Sequence, residues 1–227
     1  MTLAPPKLEP RLKAIAHEIQ TSAHTDVGSD HALLPRFLLD TGRATFVIAI
    51  EKTQLPFLNS KQTLRSYIKQ GKADVRLGDG LSVLAQEEVE SLSISGLGAE
   101  RIIKILERFP ERVPDRLILQ ANDKPERLRA WALKTGFHLL NEQMTDGFWH
   151  YVVLTFKRSR LKDPAYKKVP EDLAIYAGPL LLKERHPLLL KELRKNELYL
   201  KTQLGKHNSQ ELQKKLKLTQ EALAYYA

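Results

Sequence analysis

Three acidic side chains follow three successive strand-like segments and could together bind one ligand. Asp26, Glu51 and Asp79 each stand at or just after the end of a predicted strand. Ligands of parallel sheets bind beyond the carboxyl ends of the strands, so these carboxylates are expected at one edge. A carboxylate after the second strand can accept both hydroxyl protons of a ribose, and one after the third can accept a hydrogen bond from an adenine amine. Each acid alone could be an ordinary strand-end or turn residue, but the repeated placement favours a binding site.

The segment TDVGSDHALLP, residues 25–35, predicts a strand, a turn and the start of a helix near Asp30 or His31. Gly28 would let the backbone approach a ligand closely. The segment lacks G-x-G-x-x-G, which argues against a nicotinamide dehydrogenase. Asp26 and Asp30 would repel phosphate but suit an ammonium or sulfonium group, which favours a phosphate-free cofactor such as S-adenosylmethionine. The alternative is a helix capped by Ser29 or Asp30.

Further polar and small residues follow the later strands. Gly80 stands beside Asp79, and Gly96 and Gly98 in ISGLGAE could leave an open floor beside a cofactor. Asn122, after the fifth strand, carries both a donor and an acceptor and could pair with the edge of a base. The alternative for Asn122 is a turn residue ahead of the next helix.

Strand-like and helix-like segments alternate over the first 156 residues, which predicts an α/β fold with a parallel sheet covered by helices on both faces. The predicted strands are 23–27, 45–50, 73–77, 92–95 and 116–120, with 137–140 and 149–156 as a final antiparallel pair. The predicted helices are 7–20, 31–39, 56–70, 100–108 and 125–134.

The tail has a different composition. Residues 157–227 contain 16 of the 36 Lys and Arg residues but only 8 of the 27 Asp and Glu residues, so they carry most of the net charge of +9. Such a tail suits a polyanion, because bound cations release counterions from phosphates; a solvated lysine-rich helix is the alternative. Leucines at helical spacing predict two antiparallel helices, a coiled-coil hairpin, the second beginning at an Asn208–Glu211 capping box. Self-association through the leucines is the other interpretation.

Composition excludes several classes of function. The chain has no cysteine, which excludes disulfides, thiolate catalysis and cysteine-ligated zinc. No run of 18 apolar residues suggests a membrane span, and the start MTLAPPKLEPRLK has no apolar stretch typical of a secretion signal. A cytoplasmic protein without membrane or metal partners is expected.

Several sequence motifs of this chain resemble those of the TrmK family, which are bacterial tRNA (adenine-N1)-methyltransferases acting on position 22. Asp26–Pro35, DVGSDHALLP, resembles the opening motif of that family, and Gly78–Leu81, GDGL, resembles its third-strand motif. The other similar strings are ISGLGA at 94–99, LILQAN at 117–122, LRAW at 128–131, Gly136-Phe137, and YAGPLL at 176–181. Departures from the family pattern are Leu97, Ala99, Ala121, the missing glycine before Pro56, and DGFWHY at 146–151.

The resemblance implies a Rossmann-like class I methyltransferase sheet of seven strands in residues 1–160 and a basic helical domain in 161–227. It implies S-adenosylmethionine as cofactor and tRNA as partner, with methylation at N1 of an adenine by a monomer or weak dimer. In this reading Asp26 and Gly28 bind the methionyl end, Glu51 the ribose and Asp79 the adenine. Another RNA or DNA target, or an RNA-binding homologue with weakened catalysis, remains an alternative.

The remaining site residues follow from the chemistry that the resemblance implies and from the basic charge of the tail. Asp30, favoured as acceptor, is expected to act in catalysis with His31 and Asn122. Gly80 and Gly96 are expected beside the cofactor, and Gly98 and Pro35 in the substrate pocket. The residues expected to bind RNA are Lys183, Arg185, Lys191, Arg194 and Lys195.

Overall fold

A computed structural model describes residues 4–145, 150–207 and 209–227. Its strands are β1 Thr21–Val27, β2 Ala44–Glu51, β3 Ala73–Leu77, β4 Ser91–Leu97, β5 Arg116–Ala121, β6 Phe137–Thr145 and β7 Tyr151–Arg158. Its helices are α1 Pro10–His17, α2 Leu33–Asp40, α3 Gln54–Thr63, α4 Arg65–Lys69, α5 Ala99–Arg108, α6 Pro125–Thr135, α7 Glu171–Ala177, α8 Pro179–Lys183, α9 Pro187–Leu204 and α10 Gln210–Ala224.

The seven strands form one sheet in the order β3-β2-β1-β4-β5-β7-β6. Strands β1 to β5 pair in parallel, and β7 runs antiparallel to both β5 and β6. The strand order reverses between β1 and β4, which places a switch point, the usual ligand crevice, beyond the carboxyl ends of these strands. The predicted Rossmann-like sheet with a final antiparallel pair is confirmed.

Apolar side chains pack on both faces of the sheet because alternate residues of a buried strand point to opposite faces. Along β5, Leu117 and Leu119 join one core with Trp131 of α6. Ile118 joins the other, with Ile15 of α1. The continuous apolar strands are therefore typical of a sheet that is covered on both sides.

Several element boundaries differ from the sequence-based prediction. Helix α1 is shorter than the predicted 7–20, and β6 extends to Thr145 rather than to residue 140. Helix α2 begins at Leu33 rather than at Asp30 or His31, because Asp30 and Ala32 adopt left-handed φ angles of 57° and 50° that no helix can contain. The helix predicted over 56–70 is divided into α3 and α4 at Leu64, a buried residue with ψ of 6°.

The tail forms an antiparallel helical hairpin that packs on the edge of the sheet. Gln220 Nε2 of α10 donates to Glu197 Oε1 of α9 at 3.3 Å, which shows the pairing of the two helices. A third core joins Leu173, Leu189 and Ala222 of the tail with Val152 of β7. The coiled-coil geometry stays a prediction. The predicted cap Asn208 lies outside the described residues, and the described N-cap of α10 is Ser209, whose hydroxyl accepts from Leu212 N at 3.2 Å.

A buried ion pair connects the tail to the sheet. Arg129 of α6 and Glu142 of β6 contact each other with side chains only 2% and 0% exposed. Glu142 Oε2 also accepts from Leu180 N at 3.0 Å, and Arg129 Nη1 donates to Ile175 O at 3.1 Å. Gly178 has φ of 95°, and a Cβ there would lie 2.8 Å from both charged groups. A glycine is therefore required where the chain between α7 and α8 passes over the pair.

None of the helices in the described ranges combines the length and the apolar character needed to cross a bilayer.

Replacing Glu142 with Gln is expected to destabilise the protein by about 3–5 kcal/mol, because Arg129 would keep its charge in a buried site without a counterion. Thermal unfolding measures this change. E221Q, which removes the exposed partner of Lys217, is the control and is expected to leave the melting temperature nearly unchanged. Equal melting temperatures for E142Q and the unaltered protein would show that the pair does not stabilise the fold.

Candidate functional site

A cavity of about 520 Å³ lies at the carboxyl edge of the sheet, at the switch point. Its lining residues come from the loop after β1, from the end of β4 and from the segment around α1. They are Asp26, Gly28, Ser29, Asp30, His31, Leu33, Leu34, Ser95, Gly96 and Leu97, together with Lys7, Glu9, Arg11 and Leu12. We call this cavity the cleft. Its volume falls within the range of small-molecule sites.

The loop from Gly28 to Ala32 is strained where it borders the cleft. Gly28, Asp30 and Ala32 all have positive φ. A Cβ added to Gly28 would meet nothing within 4 Å, so the space beside it is open to a ligand. Non-glycine residues in this conformation are sparse and often occur in functional loops. The structure thus places the predicted Gly28 and Asp30 at the mouth of the cleft.

Asp26 is buried at the base of the cleft, 4% exposed. Burial raises the pKa of its carboxyl, while hydrogen bonds from Ser29 and Ser93 and the charge of Arg11 act in the opposite direction. Ser29 Oγ donates to Asp26 Oδ2 at 2.6 Å, and Ser93 Oγ donates to Oδ1. A carboxylate held this way is oriented but incompletely neutralised, which suits a cationic ligand.

A buried histidine lies behind this carboxylate. Burial lowers the pKa of His24 to about 3, so its ring is neutral at pH 7. Its Nε2 lies 2.9 Å from Ser93 Oγ and its Nδ1 lies 2.7 Å from Ser91 Oγ. Since the single Ser93 proton goes to Asp26, Ser93 must accept from Nε2–H, and Nδ1 then accepts from Ser91. The chain His24–Ser93–Asp26 therefore keeps Asp26 an acceptor. Sequence reasoning missed His24 and Ser93.

Glu51 is the second buried carboxylate at this edge, 3% exposed. Burial, reinforced by the charges of Asp26 and Asp30, raises the pKa of Glu51 to about 7, against the effect of a hydrogen bond from Ser60. Ser60 Oγ lies 3.1 Å from Glu51 Oε1 and 2.9 Å from Asp30 O, so one hydroxyl connects the acid to the strained loop. The structure thus brings Asp26, Asp30 and Glu51 together, although Glu51 does not itself line the cleft.

Asp79 is placed differently from the other two predicted acids. It is exposed, and its oxygens pair with Lys52 Nζ at 3.1 Å and Arg108 Nη1 at 3.0 Å. The hydrogen bond from Lys52 is the main cause of its lowered pKa. Gly80 has a packing reason for lacking a side chain, since a Cβ would lie 2.9 Å from Ile105 Cγ2. Neither residue lines the cleft, so cofactor contacts for Asp79 and Gly80 stay predictions.

Gln120 organises the β4 and β5 ends of the cleft, and sequence reasoning missed it. The side chain is fully buried, and its Oε1 accepts from Gly96 N and from Arg11 Nη1, each at 2.9 Å. Its Nε2 donates to Asn122 Oδ1 at 3.2 Å. Asn122 Nδ2 in turn donates to Gly96 O at 2.7 Å, so both ends of the predicted base-reading amide already have protein partners. One donor and one acceptor of Asn122 remain for a base.

The two predicted substrate-pocket residues lie outside the cleft lining. Pro35 is buried within α2. Gly98 precedes α5, where a Cβ would lie 3.3 Å from Asp123 Oδ1, and that same oxygen accepts from Ala99 N. The geometry thus gives packing and capping reasons for these residues rather than contact with a substrate. His31, by contrast, is exposed at the cleft beside Asp30, with 3.9 Å between Nε2 and Oδ2.

Helix α9 contacts the chain just before β7. Its Glu192 contacts His150 Nδ1 at 2.6 Å, and the next residue, Tyr151, lies 5.6 Å from the guanidinium carbon of the cleft residue Arg11.

The predicted RNA-binding residues of the tail divide into two groups. Lys191, Arg194 and Lys195 of α9 are exposed and make no ion pair within the described part of the chain. Lys183 Nζ donates to Ala165 O, and Arg185 Nη2 donates to Ala227 O at 3.4 Å. The α9 cations are therefore the ones most available to a polyanion.

Comparison with known proteins identifies the family. The family model TrmK, described as tRNA (adenine(22)-N(1))-methyltransferase, matches residues 24–226. A Bacillus subtilis (strain 168) tRNA (adenine(22)-N(1))-methyltransferase is 34% identical over 191 residues, 82% of this chain and 79% of that protein. This chain belongs to the TrmK family.

Solved structures agree with the TrmK assignment. The crystal structure of B. subtilis M1A22 tRNA methyltransferase TrmK matches with a TM-score of 0.85 and 29% identity, covering 96% of this chain and 97% of that one. Streptococcus pneumoniae Sp1610 in complex with S-adenosyl-L-methionine matches with a TM-score of 0.83 and 28% identity, covering 96% and 100%. Of the departures from the family strings, Leu97 lines the cleft, while Ala99 and Ala121 are buried. Residues 146–149 lie outside the described residues.

Replacing Glu51 with Gln is expected to stabilise the free protein at pH 8. The folded-state pKa of Glu51, about 7, exceeds its ordinary value of 4.5. The folded chain therefore binds this proton more tightly, and its stability falls as pH rises through that interval. E51Q lacks the ionisation, so its melting temperature should exceed that of the unaltered protein by at least about 2–4 °C at pH 8 and match it below pH 4.5.

Glu88→Gln is the matched control with the opposite sign. The hydrogen bond from Arg76 lowers the pKa of Glu88, so E88Q should lose stability at pH 8. A lower melting temperature of E51Q at pH 8 would show that the Glu51 carboxylate is already compensated in the free protein.

Proposed function

We propose that this protein is an S-adenosylmethionine-dependent tRNA methyltransferase that methylates N1 of adenine 22. The observation that carries the proposal is the pair of buried acids, Asp26 and Glu51, at the switch point of a chain that belongs to the TrmK family. The relatives' names supply the substrate, and the cleft supplies the chemistry that such a cofactor requires. In this proposal residues 1–160 form the methyltransferase domain and 161–227 the RNA-binding domain.

The residues at the cleft fit S-adenosylmethionine. The open space beside Gly28 and the incompletely neutralised Asp26 suit the cationic methionyl end. Glu51 accepts hydrogen bonds from the two ribose hydroxyls. These hydrogen bonds compensate for the hydration that the buried carboxylate has lost. Asp79 receives the adenine amine and Gly96 borders the cofactor. The cofactor supplies a methyl group already activated by the sulfonium.

Catalysis by this chain consists chiefly of positioning. The target adenine leaves its stack, at a cost of a few kcal/mol, and the cleft holds its N1 lone pair in line with the methyl group. Positioning of this kind contributes roughly 7–11 kcal/mol. Methylation at N1 makes the base cationic and acidifies N6. Asp30, with its carboxylate 74% exposed at the cleft, accepts the N6 hydrogen bond. His31 lines the same cleft, and Asn122 is bonded to the cleft residue Gly96.

Helix α9 binds the tRNA backbone and brings the target to the cleft. Lys191, Arg194 and Lys195 are spaced three and four residues apart and so share one face of the helix. They contact phosphates, which fix orientation without reading sequence. A tRNA substrate places the reaction in the cytoplasm, and a monomer or weak dimer stays our expectation.

The direct test incubates the protein with bulk undermodified tRNA and methyl-labelled S-adenosylmethionine, followed by nucleoside analysis. Label in 1-methyladenosine that maps to position 22 is expected, and D26A is expected to abolish it. Label in another nucleoside, at another position or in DNA would contradict methylation at adenine 22 and show that the protein methylates another target. Cofactor and tRNA binding without turnover would indicate a binding protein instead of an enzyme.

Asp30→Asn is expected to lower turnover on tRNA roughly 100-fold, because a neutral amide accepts the acidified N6 proton poorly. Asn tolerates the left-handed φ of residue 30, so the loop should keep its shape. Single-turnover kinetics measures the effect, and calorimetry with S-adenosylmethionine should show unchanged affinity. Normal turnover would exclude Asp30 from the mechanism.

Replacing Lys191, Arg194 and Lys195 together with Gln is expected to weaken tRNA binding at least about tenfold at 0.1 M salt. It should also reduce the slope of log affinity against log salt by about two to three. The matched control replaces Lys214, Lys215 and Lys217 of α10, whose ammonium groups pair with Asp172, Glu211 and Glu221. Similar salt slopes for both triple variants would contradict a specific α9 surface.

A further inference from the structure

The outer face of helix α9 carries two large apolar side chains that no other part of the described chain covers. Leu198 and Tyr199 are 71% and 59% exposed, whereas Leu189, Leu193 and Leu200 on the opposite side of the helix are buried. Tyr199 makes no hydrogen bond or ring contact among the described residues. A single exposed apolar side chain is ordinary on a protein surface, so the meaning of this pair depends on its neighbours.

Each of the two apolar residues follows a cation by one helical turn. Arg194 precedes Leu198 and Lys195 precedes Tyr199, each by four residues, so the members of each pair are neighbours on the helix surface. Lys191 lies one further turn before Lys195, and all three cations are exposed. We call these five residues the outer stripe. Aromatic and apolar side chains here alternate with cations along one face of a single helix.

The outer stripe keeps its positive charge without a neutralising acid among the described residues. The two acids of α9 have other partners, since Glu192 contacts His150 and Glu197 pairs with Lys201. Like charges four residues apart, as the two lysines of the stripe are, destabilise a helix slightly. Helix stability therefore does not account for this arrangement, whereas the binding of a polyanion does.

A nucleotide with an unpaired base has the chemistry that complements the outer stripe. Its phosphate is an anion, and its base has a flat π face that stacks on an aromatic ring whichever base it is. One helical turn, about 5.4 Å, separates Lys195 from Tyr199, so a single nucleotide can contact both. A continuous duplex offers phosphates but keeps its base faces stacked inside. The outer stripe thus suits RNA with unpaired bases better than duplex RNA.

We propose that Tyr199 stacks on an unpaired base of the bound tRNA while Arg194 and Lys195 bind the flanking phosphates. Leu198 packs beside the same base. The inference rests on the proposed function, in which α9 binds the tRNA, and it adds a contact that depends on an aromatic ring rather than on charge. Phosphates repeat along every strand and carry no positional information. A stacked base fixes where along the tRNA the helix binds, which makes Tyr199 a residue that positions the substrate.

The competing occupant of the outer stripe is a second copy of this chain, because exposed leucine and tyrosine side chains also pack helices together. Such a contact would bring the three cations of each copy together without an acid of the stripe to neutralise them, which opposes association. The two occupants also differ in what they require of residue 199. Stacking on a base requires an aromatic ring, whereas packing against another helix requires only apolar area.

The experiment compares Y199F, which keeps the ring, with Y199L, which keeps an apolar, helix-favouring side chain but loses the ring. Fluorescence anisotropy measures binding to tRNA and to an RNA duplex of equal length. On tRNA, Y199F should bind within about twofold of the unaltered protein and Y199L at least about fivefold more weakly. On the duplex all three proteins should bind alike. L161A, which shortens an 81% exposed leucine outside α9, is the control and should match the unaltered protein on both RNAs.

Salt dependence separates stacking from phosphate binding. A stacked base releases no counterions, so Y199L should weaken tRNA binding at every salt concentration without changing the slope of log affinity against log salt. K195Q removes a phosphate contact one turn away and should reduce that slope by about one. A reduced slope for Y199L would show that its effect comes from disturbed phosphate contacts and would contradict stacking.

Equal tRNA affinities of Y199F and Y199L would overturn the inference, as would an equal loss by Y199L on tRNA and on the duplex. Sedimentation that shows a dimer of the unaltered protein and a monomer of Y199L would assign the outer stripe to a second copy instead. Methyl transfer by the unaltered protein is measured in parallel. Ring-dependent tRNA binding without any 1-methyladenosine would refute the proposed function and support this contact, whereas normal methylation without ring dependence would refute the contact alone.

Discussion

The free energy needed to keep Asp26 and Glu51 out of water is the constraint around which the cleft is built. Burial raises the pKa of both carboxyls, which means that the folded protein holds them at a cost. Serine hydroxyls donate hydrogen bonds to both carboxylates. The neutral ring of His24 in turn donates to one of those serines, Ser93. No described lysine or arginine forms an ion pair with either acid, and we infer that a cationic or hydroxyl-rich ligand completes the site. Sites with such tension between stability and function are common in enzymes.

The burial of these two acids also accounts for the structure around them. A parallel sheet brings the ends of β1 and β2 side by side, and its switch point opens a crevice between β1 and β4. The strained loop from Gly28 to Ala32 forms the mouth of this crevice, with Ser60 joining it to Glu51. The third predicted acid, Asp79, stands apart because its two cationic partners hold it at the surface. The acids thus differ in desolvation, and we infer that they differ in the strength of their cofactor contacts.

A buried ion pair, Arg129 with Glu142, connects the tail to the sheet. It fixes the chain at Gly178, from which α8 and α9 continue along the edge that β6 and β7 form. Glu192 of α9 contacts His150, and the adjacent Tyr151 has its ring centroid 5.6 Å from the guanidinium carbon of the cleft residue Arg11. We propose that a polyanion bound to α9 also reaches the mouth of the cleft.

Much of this fold could be predicted from sequence because buried parallel strands are continuous apolar runs and because Gly28 and Gly136 interrupt the pattern where the chain turns. Asp26 and Gly28 could be placed at the cleft, and Glu51 close to it, for the same reason. Arg11, His24 and Ser93 could not, since their partners lie on other strands or helices, 67 and 109 residues away along the chain. The polar Gln120 within an apolar strand was a signal that could have been used. The start of α2 was misplaced because local strain at Asp30 and Ala32 overrides helix propensity.

The crystal structure of this protein with S-adenosylhomocysteine is the most direct test of the claim that the buried acids hold the cofactor. We expect both ribose hydroxyls within hydrogen-bonding distance of the Glu51 carboxylate and the α-ammonium on Asp26. A ligand bound elsewhere, or one whose ribose points to solvent while Glu51 remains covered by protein side chains, would contradict it.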